Sequence, residues 1–258
     1  MNHKLNIMKK LLSLILLFST FASAQVYQTF SMHFVRVEGD LEAFEKVQTI
    51  YMQKVAQNAV EKGDIAFWAF LRRIRMDNID DEELMNYLFV QSNKDITAML
   101  SDKNRWWENA SNVLTKAEQE LVAALQQSYQ WTADHRHIFI DEVSIANGLG
   151  NYIQFNFARP KNLNGFISEN QTLWKNHFSS NMKKMNMVNW GVGRHIAPLS
   201  QRWSTVVTWD MFESLEDLMK YRIGVGPPTP SKSKMSTYNP EGFRSSMIFQ
   251  PLKFAVKE

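Results

Sequence analysis

The chain of 258 residues has no cysteine. That excludes disulfides, thiol nucleophiles, cysteine metal sites and thiolate haem ligation. Turn-forming residues are sparse, with ten glycines and seven prolines, and every proline lies at or after Pro160. No apolar run is long enough to span a bilayer, which takes roughly 20 residues. There is no lasting excess of charge either. Lys and Arg total 29 against 26 Asp and Glu, but Lys4, Lys9 and Lys10 account for the whole surplus. From Gln25 onward the two signs balance, and no basic stripe points to nucleic acid.

Those three lysines open a segment with its own logic. Leu11 to Phe21 is a short apolar run, and Ala22-Ser23-Ala24 is a small-x-small cleavage site. This is the pattern of a secretory signal peptide over residues 1–24. It implies a periplasmic or extracellular mature protein with no transmembrane segment after cleavage. The 234 residues that follow are enough to bury a core without disulfides.

What the sequence does have is an internal echo. At an offset of 122 residues, Leu41 falls on Leu163, Phe44 on Phe166 and Lys62 on Lys184. Trp68 falls on Trp190, Arg72 on Arg194 and Ile74 on Ile196. The order of elements around these matches also repeats. In the first half, 28–37 alternates as a strand and 41–62 has helical apolar spacing, capped by Asp40 and ended by Gly63. Strands are expected at 65–74, 86–91 and 137–143, with a second helix starting at 95. The second half gives strands at 151–159, 187–196, 203–209 and 246–254, with helices at 163–184 and 214–221. The halves are 25–147 and 148–258. The first carries an insert with Trp106, Trp107 and an amphipathic helix over 115–127. The second carries a proline-rich loop from Gly224 to Gly242, long enough to act as a lid or binding loop.

Strand-helix-strand-strand-helix-strand is the ferredoxin-like arrangement. Written twice, with a long first helix and aromatic strands, the chain resembles the dimeric α/β-barrel superfamily, which includes antibiotic-biosynthesis monooxygenases and haem-degrading monooxygenases. The resemblance implies an α+β fold of two tandem repeats closing one barrel within a single chain, a pseudo-dimer. It implies a ligand cleft between the sheet and helices of a half, taking a small hydrophobic or aromatic molecule. Monooxygenases of this type need no cofactor, because the substrate supplies the electrons.

Candidate residues follow from where the halves differ. His177 stands where the first half has Val55, on the stripe expected to face the sheet, and a neutral imidazole there is a candidate base or iron ligand. The alternative is a core-edge histidine. Asn156 lies on the first strand of the second half. Trp190 with Arg194, and Trp68 with Arg72, pair an aromatic face with a cation four residues on, suited to holding an aromatic or anionic ligand. They also suit plain core packing. Gly191 and Gly193 either open a pocket or allow close packing. Haem-degrading relatives use an Asn, a Trp and a His on the second helix, but here the His is on the first.

Other signals are weak. His135 and His137 share a strand face but lack an acidic partner for a metal. Asp80-Asp81-Glu82-Glu83 lacks calcium-loop spacing. Gly224-Val225-Gly226 is not a dinucleotide fingerprint, and no nucleophilic serine elbow is present. With no cofactor or metal indicated and no acid/base pair in register, the sequence favours a binding protein for a hydrophobic or aromatic ligand. The alternative is a monooxygenase-like or isomerase-like enzyme.

Overall fold

Asp40 and Asn162 each begin a long helix in the same way. The Asp40 carboxylate accepts a hydrogen bond from the Ala43 backbone N–H at 2.9 Å, and the Asn162 side chain does so from Gly165 at 2.9 Å. These caps satisfy amides that the first turn leaves open. The helices they start cover the two outer faces of the fold. The structure, a computed structural model, describes residues 28–75, 85–199 and 204–257. The signal segment 1–24 and the Asp80–Glu83 cluster lie outside these residues, as does Trp203.

The first half runs β1 (Thr29–Gly39), α1 (Leu41–Lys46), a π turn (Val47–Met52), α2 (Gln53–Lys62), β2 (Phe67–Arg73) and β3 (Tyr87–Asn93). Then come α3 (Ile96–Met99), a 3-10 helix (Asp102–Asn109), α4 (Ala110–Val113), α5 (Lys116–Leu125) and β4 (Tyr129–Ala146). The second half has β5 (Tyr152–Ala158), α6 (Leu163–Glu169), a π turn (Asn170–Trp174), α7 (Lys175–Asn181) and β6 (Met187–Ala197). It ends with β7 (Val206–Phe212), α8 (Leu215–Arg222), α9 (Met235–Tyr238) and β8 (Ser245–Ala255). Both long helices thus carry a π turn at their middle. β4 starts eight residues earlier than the apolar pattern suggests, because its polar first stretch pairs with β1.

The eight strands close an antiparallel barrel in the order β1-β3-β2-β8-β5-β7-β6-β4. The first four read β4-β1-β3-β2 around the wall, and the last four β8-β5-β7-β6. The two sets join edge to edge at β2–β8 and β4–β6. Closure leaves no open sheet edge.

Strand alternation sends each face to a different core. Phe30, Met32, Phe34, Ile153, Phe155 and Phe157 point into the barrel with Leu71 and Phe249, and this core is filled. It contains the stacked rings of Phe30 and Phe139, with centroids 5.2 Å apart. The opposite face packs under the helices, with Trp68, Phe70 and Tyr87 in one half and Trp190, Val192 and Phe212 in the other. Gly191 and Gly193 belong to the filled interior. A Cβ at Gly191 would overlap the Trp209 ring, and one at Gly193 would lie 2.6 Å from Phe30. Of the two roles the sequence allows these glycines, close packing is the one seen.

Candidate functional site

Under the helices of the second half lies a cavity of about 770 Å³. Its floor is the helix-facing side of β5–β8 and its wall is α6–α7. Its rim is the proline-rich segment that follows α8. Trp190, Phe178 and Trp174 form an aromatic side, with the Trp190 and Phe178 rings stacked at 4.5 Å and Phe178 and Trp174 at 5.9 Å. The π turn re-aims this stretch of helix, so that Asn170 and Trp174 both reach the cavity.

The floor is polar and almost sealed. Asp210 on β7 is 2% exposed. Its Oδ2 accepts a hydrogen bond from Asn156 Nδ2 at 2.7 Å, and its Oδ1 a longer one from the Tyr221 hydroxyl at 3.4 Å. Gln154 also donates to it. Asn156 in turn donates to Thr208 Oγ1 at 3.1 Å and accepts from Ser246 Oγ at 2.7 Å. Burial pushes the Asp210 carboxyl up to about 7, against the opposing pull of the three donors. Burial first, and Asp210 second, hold the Tyr221 hydroxyl well above its ordinary value. A carboxyl that titrates near neutrality, fixed by three donors at the base of an aromatic cavity, can take a proton from a ligand and return it.

Of the residues singled out from sequence, His177, Asn156 and Trp190 line this one cavity. His177 sits on α7 at the rim, half-buried, with its ring edge-on to Trp174 (5.6 Å) and Phe178 (5.4 Å). Desolvation lowers its pKa. Phe178, one residue on, takes the buried place on the stripe.

The other named residues are not brought there. Arg194 pairs with Glu142 of β4 at 2.5 Å, and Arg72 pairs with Glu45 of α1 at 3.2 Å. Each cation is paired with a neighbouring carboxylate, and neither lines the cavity. Trp68 is buried against Trp106, their rings edge-on at 6.2 Å. The insert therefore fills the space that stays open in the second half. His137 Nδ1 meets His195 Nε2 at 3.2 Å. Among the described residues no cluster of three or more His, Cys, Asp or Glu side chains is placed to hold a metal ion.

Asp210, Tyr221 and Gln154 were missed. Asp210 is the lone charge in Val-Val-Thr-Trp-Asp-Met-Phe, and a strand ended at 209 leaves it in a turn. Extending that strand by three residues, as observed, puts Thr208 and Asp210 on the helix-facing side.

The rim is held by a single carboxylate. Glu169, at the end of α6, accepts hydrogen bonds from Ser233 Oγ (2.6 Å), the Lys234 backbone N–H (2.8 Å) and Trp174 Nε1 (2.9 Å). Tyr238 lies on Gly165, where a Cβ would come within 2.7 Å of its ring.

No protein-family description and no curated protein matches the sequence. Solved structures share the fold across nearly all of the chain. A candidate monooxygenase of Lactobacillus acidophilus NCFM matches with a TM-score of 0.54 at 10% identity, covering 89% of this chain and 96% of that one. An anthrone oxidase-like protein matches with a TM-score of 0.52 at 8% identity, covering 90% and 93%. A haem-binding protein of Thermus thermophilus matches with a TM-score of 0.50 at 9% identity, covering 88% and 92%. These likenesses show the fold alone, a mixed α/β architecture around a closed eight-stranded barrel.

Proposed function

We propose that this is an exported, cofactor-independent, oxygenase-like enzyme built from two fused ferredoxin-like repeats, and that it acts on a small aromatic compound in the cavity of its second half. The observation that carries the reading is Asp210. The sequence favours binding over catalysis because it shows no acid or base in register, and Asp210 is that base. The names of the fold neighbours, a candidate monooxygenase and an anthrone oxidase-like protein, support the same reading.

The chemistry suits a substrate with an activated methylene between aromatic rings. Asp210 takes one methylene proton, and the resulting carbanion is reactive towards oxygen. The CH2 carbon becomes C=O and the second oxygen atom leaves as water, so the carbon supplies all four electrons that reduce O2. Asn156, Tyr221 and Gln154 position the carboxylate, and Trp190 with Phe178 offers the ring a stacking face.

Haem fits these residues poorly. The one imidazole at the cavity is clasped edge-on between Trp174 and Phe178. The sheet beneath it carries a carboxyl and two carboxamides where a porphyrin face needs an apolar platform.

The test is oxygen uptake and ketone formation with anthrone as probe. Catalysed uptake that is lost in Asp210→Asn, with anthrone binding retained, supports the reading. Equal rates for the two proteins, or none above the spontaneous reaction, end it. Export is tested separately, by finding the N-terminus at Gln25 in protein recovered outside the cytoplasm.

A further inference from the structure

The mouth of the cavity carries an unusual surface. Ile223, Val225 and Phe243 are 78%, 56% and 48% exposed. Val225 and Phe243 also line the cavity, so this apolar rim is continuous with the ligand space. The three flank Gly224 (φ +80°) and Gly242 (φ +68°), the two ends of the segment over the cavity. Nothing lies within 4 Å of a Cβ built at either glycine. Gly224 takes its positive φ as the cap of α8, its N–H bonded to the Tyr221 carbonyl and that of Val225 to the Lys220 carbonyl, so Ile223 and Val225 are held out at a fixed helix end.

The charge of the same segment is one-sided. From residue 220 to 244 the cations are Lys220, Arg222, Lys232, Lys234 and Arg244, and the one acid is Glu241. Lys220 is paired with Glu216 and Arg244 with Glu241. Arg222, Lys232 and Lys234 are exposed and form no ion pair among the described residues. In a sequence balanced from Gln25 onward, this is a local positive field around an apolar opening. Exposed apolar groups rimmed by cations are what a lipid surface with anionic headgroups recognises.

We infer that the cavity mouth docks on an anionic lipid surface, with Ile223, Val225 and Phe243 entering the interface and Arg222, Lys232 and Lys234 meeting the headgroups. The inference rests on the reading that the cavity takes an aromatic, poorly water-soluble ligand, which would then enter from the lipid without crossing water.

The experiment is sedimentation of the exported protein with vesicles of phosphatidylcholine alone, and of phosphatidylcholine with about one-third phosphatidylglycerol. The inference predicts binding to the mixed vesicles that weakens with salt, and little binding to the neutral ones. Lys232→Glu lowers affinity for mixed vesicles by about tenfold. Ile223→Ser lowers it severalfold. Neither of these side chains lines the cavity, so anthrone turnover in detergent-free solution stays at the wild-type rate. Asp210→Asn binds vesicles like wild type, which separates failure of the enzyme reading from failure of this one. Vesicle binding indifferent to both substitutions, or absent, overturns the inference. So does loss of self-association in Ile223→Ser by sedimentation velocity, which would make the rim an interface between copies.

Discussion

Trp68 stands opposite Gln91 in the β2–β3 pair, and Trp190 stands opposite Asp210 in the β6–β7 pair. The two positions are the same place in the two halves, a tryptophan beside a buried polar residue under the long helix. In the first half Trp106 comes down from the insert, donates to Gln91 Oε1 at 2.9 Å and fills the space. Gln91 Nε2 donates in turn to Asn93 Oδ1 at 2.9 Å and to Asn104 Oδ1. In the second half the described residues supply no such plug, and the polar residue is a carboxyl. One wall was thus put to two uses, a packed core and a cavity with a titrating floor. The difference lies in the insert of the first half, the proline-rich rim of the second and a Gln/Asp exchange, not in the strand order.

The sharpest way to break this comparison is to exchange the roles of the polar pair. Asp210→Asn is expected to cut anthrone turnover by about 10²–10⁴, the usual worth of a positioned base, whereas Gln91→Leu leaves turnover unchanged. Gln91→Leu instead strands the Trp106 N–H, at a stability cost of roughly 1–3 kcal/mol in urea unfolding. Trp106→Ala empties the plug and should cost about 3–5 kcal/mol by the same measurement. A small loss would mean that the first half is not packed as described.

Acidity distinguishes the halves as well. The folded pKa of Asp210 lies near 7, above its unfolded value near 4, so the folded state holds the proton more tightly. Its contribution to stability is complete below the unfolded value, is lost as pH rises through about 7, and is flat above. The total is on the order of 4 kcal/mol from a shift of this size. Thermal unfolding between pH 4 and pH 8 should show that fall in the wild type and not in Asp210→Asn. Smaller effects follow inside and at the rim. Gly191→Ala forces Trp209 to move and should cost about 1–3 kcal/mol. His177→Ala should change stability by less than about 0.5 kcal/mol, its ring being half-buried at the rim, and alter anthrone affinity only a few-fold.

Much of the architecture was legible because it rests on period and spacing. The alternation of Phe30, Met32 and Phe34 marked an interior face. The Asp40 cap and the Gly63 stop bounded the first long helix. The site was legible only in part. His177 stands out as a departure between halves, Trp190 as a match and Asn156 through the family resemblance, and the three line one cavity. Asp210 did not stand out, because an acid near a strand end looks like turn chemistry until the strand is known to continue. Arg72 and Arg194 misled for a related reason. Their carboxylate partners, Glu45 and Glu142, come from other elements, which strand periodicity cannot reveal. The π turn in each long helix has no sequence signature, and the halves still diverge after it, with Val55 buried and His177 at the rim beside the buried Phe178.

The proposed catalysis turns on the protonation of one carboxyl, and that can be measured without any substrate. A carbon-13 NMR titration of protein labelled at aspartate side chains should show one carboxyl with its midpoint near 7, missing from Asp210→Asn. If every aspartate instead titrates near the ordinary value of about 4, Asp210 is a plain structural anion and the catalytic reading of the cavity is wrong.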